Sequence, residues 1–328
     1  MGKIRAKIIG TGKFLPEKVL SNADLETLVE TNDEWITERT GIKERRIADE
    51  NTFTSDLAKF AAEKALKDAN MDVEDVDLII TACVSPDMYT PSVSCKVQKY
   101  LGAKNAAAFD VNAACSGFVF AVTIAQQFIE NGTYKNVLII GAECLSKVTE
   151  YKDRATCVLF GDGAGAVVLQ ATDEDTGVIT ATLGSKGELG DCLTIPGIRC
   201  DEEEIEKRPF GDMRTIWQNG QAVFKFAVKV MASATKEVME KAGVTIDDVV
   251  LIIPHQANQR IIDGAQKRLK CAPEKIFSNI AKYGNMSAAC IPIALCEAIS
   301  EGRIKRGDKF VIVGFGGGLT WGSALIEY

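Results

Sequence analysis

Histidine is almost absent from this sequence: one residue, His255, stands among 328. The ten cysteines include no CxxC pair, which argues against a zinc ribbon or a thioredoxin-like redox site. No apolar run reaches the ~20 residues that a membrane helix needs, and the N-terminal stretch lacks the apolar segment of a secretory signal. We therefore expect no metal and no membrane association.

Positive charge is also scarce, with 38 Lys and Arg against 45 Asp and Glu. A net charge of −7 disfavours nucleic acid as the main partner, because phosphate binding needs a basic face. Apolar residues make up 46% and charged residues 25%, which is typical of a globular protein with a large core. Most cysteines lie inside apolar runs, so we expect reduced thiols and a cytoplasmic location. The cysteines are Cys83, Cys95, Cys115, Cys144, Cys157, Cys192, Cys200, Cys271, Cys290 and Cys296.

Two parts of the sequence resemble each other. Residues 63–87 and 236–260 align without a gap at an offset of 173, and each has a helical period, a turn and an apolar run. The apolar runs at 76–82 and 249–254 predict strands that are buried on both faces. Similar helix–strand units occur in many α/β proteins, but the ungapped agreement favours a duplication.

A second pair of segments supports the same interpretation. Residues 115–132 and 285–302 each read as a helix that ends at a glycine. Each leads into an apolar strand and a further glycine, at 136–141 and 309–314. On this alignment residue 115 of one half corresponds to residue 285 of the other.

The duplication predicts two βαβ-rich halves, residues 1–172 and 173–328. We expect helices that sandwich mostly parallel sheets, with strand ends converging on a pseudo-twofold axis. Ligands bind beyond the carboxyl ends of such strands, so the axis is where chemistry is expected.

Three residues near this axis are candidates for chemistry. His255 follows a predicted strand in PHQAN; a lone histidine is often only a hydrogen-bonded core residue, but the strand end favours a functional one. Cys115, in NAACSGF, has small neighbours and precedes a helix, whose N-terminus should lower the thiol pKa. The alternative is a packed cysteine like the other nine. Asn285, in YGNMSAAC, is either a helix cap or a hydrogen-bond donor to the site.

Two glycine-rich stretches of the sequence could be ligand-binding loops. GDGAGAVVL (161–169) lacks the dinucleotide-binding spacing and precedes a predicted strand, so it favours close packing. GFGGGLTWGSALI (314–326) follows a predicted strand, and its consecutive glycines could direct backbone N–H groups at a ligand oxygen.

NAACSGF, PHQAN, YGNMSAA and GFGGGLTWGSAL resemble the signature segments of the bacterial β-ketoacyl-acyl-carrier-protein synthase III family. IIGTGKFLPEKVLSN and NDEWITERTGIKERR are similar to its N-terminal part. The resemblance runs from about residue 7 to the end of the chain. It implies a thiolase-like, five-layered αβαβα fold of two duplicated halves. The implied reaction is condensation of a short acyl-CoA with malonyl-acyl carrier protein, which initiates type II fatty acid biosynthesis.

The resemblance also implies a role for each site residue. Cys115 would take the acyl group, and His255 and Asn285 would donate hydrogen bonds to the malonyl thioester carbonyl. The amides of Cys115 and Gly317 would form the oxyanion hole, with Phe315 bordering the cysteine. No cofactor is implied, since the coenzyme A thioester is a substrate. The implied CoA-binding residues are Trp35, Arg154, Thr31, Arg39, Gly220, Phe224 and Asn258.

The family's acidic carrier protein and its homodimer imply two further surfaces. Thr90, in MYTPS, matches a position where one subunit closes the acyl pocket of the other. Because threonine is small, we expect primers longer or more branched than acetyl to be accepted. Any single basic residue on a helix could be only a solvated one. The candidate docking cations are Lys225, Lys229, Arg260, Lys267 and Arg268.

Three other functions fit parts of the pattern. Cys, His and Asn also occur in this order in papain-like hydrolases, whose local signature is absent here. A thiolase-fold acyltransferase of secondary metabolism would carry nearly the same motifs. A non-catalytic acyl-binding protein would be expected to lose Cys115, His255 or Asn285, and all three are present.

Overall fold

The fold was obtained as a computed structural model that describes residues 4–198, 202–208, 210 and 214–328. Nine of the ten cysteines fall in these ranges and all nine are free thiols, whereas Cys200 lies outside the described residues. None of the described helices is long and apolar enough to cross a bilayer.

The described chain contains thirteen strands and eleven α-helices in mixed order. The strands are β1 (Arg5–Phe14), β2 (Val19–Ser21), β3 (Glu44–Arg46), β4 (Leu78–Ala82), β5 (Ala107–Val111), β6 (Asn136–Cys144), β7 (Asp162–Thr172), β8 (Gly177–Gly190), β9 (Leu193–Thr194), β10 (Trp217–Gln218), β11 (Leu251–Pro254), β12 (Lys309–Gly316) and β13 (Gly318–Glu327). The helices are α1 (Asn22–Glu26), α2 (Asp33–Thr40), α3 (Thr54–Asp68), α4 (Val93–Leu101), α5 (Gly117–Glu130), α6 (Arg154–Cys157), α7 (Glu202–Glu206), α8 (Gly220–Ala242), α9 (Gln259–Leu269), α10 (Ile280–Tyr283) and α11 (Cys290–Ser300).

Two larger sheets organise the molecule. One has the strand order β1-β7-β6-β4-β5 and the other β11-β12-β13-β8. The pairs β4–β5, β4–β6 and β11–β12 are parallel, whereas β1–β7, β6–β7, β12–β13 and β8–β13 are antiparallel. The prediction of mostly parallel sheets is therefore wrong. Most of the glycine-rich stretch at 161–169 lies in β7, and most of the one at 314–326 lies in β13; both strands pair antiparallel with their neighbours. Only Gly317 separates β12 from β13, so this pair needs no helical crossover.

The helices and the two sheets stack in five layers. Helices α3 and α4 cover one face of the first sheet, and α8 covers the outer face of the second sheet, with α9 packed beside it. Helices α5 and α11 lie between the sheets, and both are apolar around most of their circumference because each contacts sheets on two sides. The predicted αβαβα architecture is confirmed.

The two halves correspond at an offset of 173 residues throughout the centre of the fold. Strand β4 begins at Leu78 and β11 at Leu251, and the 3₁₀ turns Ala114–Ser116 and Ser287–Ala289 follow the same spacing. Cys115 therefore corresponds to Ala288, so the predicted match of Cys115 with Asn285 is wrong. The mismatch arises because α11 has 11 residues and α5 has 14. The glycine that follows α11 therefore comes three residues earlier than the one that follows α5, and aligning the two glycines shifts the start of the helices by three positions.

Helix α3 packs unusually close to the first sheet. Its inward residues are largely alanines, and Gly12 of β1 faces the helix backbone. A methyl group added to Gly12 would lie 2.4 Å from the Ala61 carbonyl oxygen and 2.4 Å from the Ala65 amide nitrogen. Glycine and alanine at this contact bring the helix and strand backbones together.

We predict that Gly12→Ala destabilises the protein by about 1–3 kcal/mol, because helix backbone atoms must shift to admit the methyl group. Gly187→Ala is the matched control, since nothing lies within 4 Å of its added methyl group. Urea unfolding of both variants measures the difference. Equal midpoints for Gly12→Ala and Gly187→Ala would contradict the prediction.

Candidate active site

Cys115 sits in the sharp turn between β5 and α5. Ala114 adopts the left-handed conformation, with φ of +47°, and Cys115 is buried, with 8% of its surface exposed. The backbone of β12 passes so close that a methyl group on Gly316 would lie 2.5 Å from the Cys115 amide nitrogen. The small residues around Cys115 therefore let the backbone of β12 pack closely against the turn that carries the cysteine, as the sequence predicted.

His255 follows β11 directly and is buried. Its amide donates a 2.8 Å hydrogen bond to the Val313 carbonyl, and its ring meets the Phe315 ring edge-on at 5.4 Å between centroids. Both ring nitrogens are buried and make no hydrogen bond within the described part of the chain. This excludes the alternative of a hydrogen-bonded core histidine and leaves both nitrogens available to a ligand. It also gives no support to a papain-like Cys–His pair.

A polar network fixes the loop that carries His255. The Gln256 side-chain amide donates to the Pro254 carbonyl at 2.7 Å, and its oxygen accepts from the Asn279 backbone amide at 3.1 Å. The Asn279 side chain donates in turn to Glu297 at 2.9 Å. Each of these groups is buried, so the network holds the histidine backbone in one position.

Asn285 is held by its backbone and oriented by its side chain. Its amide donates to the Leu159 carbonyl at 2.8 Å, and its carbonyl accepts from the Gly161 amide at 3.0 Å. The side-chain oxygen accepts from the Ser287 amide at 2.8 Å. The side-chain NH₂ group consequently points elsewhere and donates to no acceptor among the residues described. Both sequence interpretations of Asn285, a cap of the turn and a donor, fit this geometry.

Two cavities meet at Cys115. The first, called here the triad cavity, has a volume of about 200 Å³ and is lined by Cys115, His255 and Asn285, with Phe315 beside them. The second, called the Leu145 cavity, has a volume of about 380 Å³ and contains Cys115 and Gly317 in its lining. Its apolar wall is formed by Val84, Leu145, Phe160, Leu193, Ile195 and Ile216.

Most of the residues expected to bind CoA lie along the triad cavity. Trp35 is flanked by two guanidinium groups, that of Arg154 at 4.9 Å and that of Arg39 at 5.6 Å from its ring centroid. Arg154 and Thr31 are not part of the cavity lining, although Arg154 reaches it through Trp35. The expected residues that do line the cavity are Trp35, Arg39, Gly220, Phe224 and Asn258.

Asn258 connects helices α2 and α9. Its side-chain oxygen caps α9 by accepting from the Arg260 amide at 2.8 Å, and its NH₂ group donates to the Arg39 carbonyl at 3.0 Å. The residue thereby ties the start of α9 to the end of α2 at the cavity wall.

None of the residues expected to meet partners lines either cavity. Thr90 is exposed in the loop between β4 and α4 and lines neither cavity within this subunit. All five candidate docking cations are exposed, two on α8 and three on α9, and these helices pack against each other.

Comparison with known proteins identifies the family. Two family models match the chain, 3-oxoacyl-[acyl-carrier-protein] synthase III at residues 109–187 and its C-terminal region at 239–328. The chain is 54% identical to the β-ketoacyl-[acyl-carrier-protein] synthase III of Caldanaerobacter subterraneus, covering 99% of this chain and 98% of that protein. The Clostridium acetobutylicum synthase is 52% identical, with 98% of each chain covered.

A solved structure shares the fold. The crystal structure of the Aquifex aeolicus 3-oxoacyl-[acyl-carrier-protein] synthase III superposes with a TM-score of 0.91 at 50% identity, covering 98% of this chain and 100% of that chain. The chain belongs to the β-ketoacyl-acyl-carrier-protein synthase III family. The resemblance inferred from the sequence motifs is therefore confirmed, and with it the thiolase-like fold.

In this synthase, burial dominates the electrostatics of the site. Burial raises the pKa of the Cys115 thiol to about 12, although the Ser287 hydroxyl and the cysteine's own amide act in the opposite direction. The expected lowering of the thiol pKa at the helix N-terminus is therefore wrong, because burial acts more strongly in the opposite direction. Burial lowers the pKa of His255 to about 3, so the imidazole is neutral at physiological pH.

Sequence reasoning missed several residues of the synthase site. Leu145, Phe160 and Ile216 line the second cavity, but apolar residues scattered along the chain carry no signal of a shared wall. Ser287 lies in the motif YGNMSAAC, and its residue type gave no signal of a role in the site. Glu143 is fully buried. In the sequence it is the one acid in the largely apolar strand β6, and this isolated charge is the signal that could have marked it.

We predict that His255 of the folded synthase does not titrate between pH 5 and 8, because its pKa lies near 3. As the chain has one histidine, ¹⁵N NMR of tag-free protein reports on this residue alone. The ring nitrogens should keep neutral-imidazole shifts throughout. In denaturant the same residue should titrate near its ordinary pKa of ~6.5. A folded-state midpoint close to 6.5 would refute the assignment of a neutral His255.

Proposed function

We propose that this synthase transfers a short acyl group from acyl-CoA to Cys115 and condenses it with malonyl-acyl carrier protein. The products are 3-oxoacyl-acyl carrier protein, CO₂ and free CoA, and the reaction initiates fatty acid biosynthesis. The observation that carries the proposal is the meeting of two cavities at one thiol, with His255 and Asn285 in the wall of the first. One cavity can admit the thioester while the other receives its acyl chain.

In the acyl-transfer step, the sulfur of Cys115 attacks the thioester carbonyl and CoA leaves with the thiol proton. The carbonyl oxygen gains negative charge in the transition state, and hydrogen-bond donors at that position lower the barrier. We assign the backbone amides of Cys115 and Gly317 as these donors. Two observations support this assignment. Gly317 and Cys115 line the same cavity, and the neighbouring Gly316 packs closely against the Cys115 amide.

In the condensation step, loss of CO₂ leaves an enolate whose oxygen needs donors and no base. A neutral His255 and the free NH₂ group of Asn285 can supply them from the wall of the triad cavity. Burial strengthens both interactions because water does not compete for the developing charge. Phe315 packs edge-on against His255 and keeps the imidazole in place. No resident cofactor enters either step.

We assign the CoA nucleotide to the Trp35 end of the triad cavity. An aromatic ring between the Arg39 and Arg154 guanidinium groups offers stacking and cation–π contacts to a purine. Gly220, Phe224 and Asn258 line the path that the pantetheine would follow. Thr31 lies beside this region, and its buried hydroxyl has no hydrogen-bond partner in the described chain.

The carrier protein and a second subunit complete the proposal. The exposed cations on α8 and α9 offer a basic face to an acidic carrier protein. Both helices also border the triad cavity, through Phe224 and Ile261, so a carrier protein bound there would lie near the site.

We propose a homodimer in which Thr90 of one subunit closes the acyl pocket of the other. We also propose that the protein works in the cytoplasm, where free thiols persist. We also propose residues 1–172 and 173–328 as its two halves, because β7 ends at Thr172 and β8 begins at Gly177.

The Leu145 cavity supports a primer longer or more branched than acetyl. Its volume is about 380 Å³ and most of its wall is apolar, so it can bury several methylene groups. Each buried methylene contributes about 0.8 kcal/mol. Longer primers should therefore bind better until the cavity is filled.

We predict a single acyl adduct on Cys115 after incubation with acyl-CoA, cleared by malonyl-acyl carrier protein. Intact-mass and peptide mass spectrometry measure it. Cys115→Ala should abolish the adduct, whereas Cys95→Ala, a half-buried thiol on α4, should retain it. His255→Ala and Asn285→Ala should still acylate but condense ~10²–10³-fold more slowly. An adduct on another cysteine, or release of the acyl group without an acceptor, would overturn the proposal.

We predict that isobutyryl-CoA and octanoyl-CoA are both accepted as primers alongside acetyl-CoA. Leu145→Phe narrows the second cavity and should lower kcat/KM for octanoyl-CoA at least ~10-fold relative to acetyl-CoA. Ile4→Phe, on an exposed position of the protein surface, is the control and should leave the ratio unchanged. Strict preference of the parent protein for acetyl-CoA would exclude the longer-primer proposal.

A further inference from the structure

Glu297 of α11 is a buried carboxylate that the two reaction steps above do not use. Its oxygen Oε1 accepts from the Tyr283 hydroxyl at 2.6 Å and pairs with the Lys13 ammonium, and its oxygen Oε2 accepts from the Asn279 side-chain amide at 2.9 Å. Although burial acts to raise the pKa of Glu297, the hydrogen bonds from these three residues hold it below its ordinary value, so the carboxylate is ionised at neutral pH. An ionised carboxylate only accepts hydrogen bonds, which fixes the direction of every one of these contacts.

Three hydrogen bonds connect Glu297 with the backbone at His255. The Asn279 side chain is held by Glu297, and the Asn279 backbone amide donates to the Gln256 side-chain oxygen at 3.1 Å. Because its oxygen accepts from this amide, Gln256 turns its NH₂ group to the Pro254 carbonyl, at 2.7 Å. That carbonyl belongs to the peptide group that precedes His255, so the position of the histidine backbone depends on the carboxylate of α11.

The ring of His255 needs such support because it has no hydrogen bond of its own in the described ranges. A functional histidine is often oriented by a hydrogen bond from one ring nitrogen to a carboxylate or a carbonyl. Here the ring is placed only by its edge-on contact with Phe315 and by its backbone, whose amide donates to the Val313 carbonyl at 2.8 Å. A shift of the loop would therefore move both ring nitrogens relative to a substrate.

We propose that Glu297 is a positioning residue for His255 and acts through Asn279 and Gln256 in the condensation step. The inference rests on the proposed function, in which His255 donates to the enolate and takes no part in the acylation of Cys115. Loss of the carboxylate releases Asn279 and with it the loop that carries the histidine. Condensation should therefore slow while acylation does not.

Glu297→Gln tests the proposal, because it keeps the shape of the side chain and removes its charge. The Lys13 ammonium only donates, so it holds the new amide oxygen on its own side and leaves the new NH₂ group facing that of Asn279. In single-turnover assays, acylation of Cys115 by acyl-CoA should stay within about twofold of the parent rate, whereas condensation of the acylated enzyme with malonyl-acyl carrier protein should be at least ~10-fold slower. Any result in which condensation is not the more strongly slowed step overturns the proposal.

Exchanging the two polar groups provides a rescue. Asn279→Asp places a second carboxylate against Glu297 and should also slow condensation selectively. Combined with Glu297→Gln, it restores a hydrogen bond between the two positions with donor and acceptor exchanged. The double variant should recover most of the condensation rate that either single variant loses, which a simple loss of packing would not allow. A double variant that condenses no faster than Glu297→Gln would contradict the proposal.

Val97→Ala is the control for reduced stability, because Val97 is fully buried in α4, in a part of the core that does not include the network. Its melting temperature should fall, and the ratio of its two half-reaction rates should match the parent. A selective loss of condensation in Val97→Ala would show that lower stability alone explains the effect and would rule out the proposal.

The single histidine of the chain gives an independent readout. The ring NMR signals of His255 should shift or broaden in Glu297→Gln and stay at the parent positions in Val97→Ala. Unchanged His255 signals in Glu297→Gln would exclude a positioning role. An unacylated Cys115 in the parent protein would instead refute the proposed function itself.

Discussion

Two strained turns at the centre of the molecule hold the site together. Ala114 and Ser287 both adopt left-handed backbone conformations that ordinary residues avoid, at equivalent places in the two halves. Such a conformation costs about 1–3 kcal/mol and persists only where the surroundings enforce it. Here the enforcement comes from α5 and α11, which begin directly after the turns and are clamped between two sheets. The position of Cys115 and the orientation of Asn285 both follow from these turns.

Desolvation then decides the charge state of the site. Cys115, His255 and Glu143 are all buried, and burial favours the neutral form of each. Cys115 and His255 are neutral at physiological pH and can respond to charge that appears on the substrate, first on a thioester oxygen and then on an enolate. The imidazole nitrogens, without partners in the described chain, are free to make that response. The Cys115 thiol is therefore protonated at physiological pH, and a thiol is a weaker nucleophile than a thiolate.

Sequence reasoning succeeded where a short motif and its local structure coincide. The turn at NAACSGF, the strand before PHQAN and the strand KFVIV all lie where the residue pattern predicted them. It failed where a distant partner decides the outcome. The match of Cys115 with Asn285 was wrong because helix length cannot be read from a terminal glycine alone. Mostly parallel sheets were wrong because β7 and β13 pair antiparallel with their neighbours.

The sequence by itself determined the family, the duplicated α/β architecture, and Cys115, His255 and Asn285 as candidates, since these depend on residue order and on apolar periodicity. Only the tertiary structure decided which side chains share a wall. Leu145, Ile216 and Phe160 are far apart in the chain and meet only after folding. It also decided the sign of the thiol pKa shift, because the helix N-terminus is a local effect visible in sequence, whereas desolvation depends on every layer packed around the sulfur.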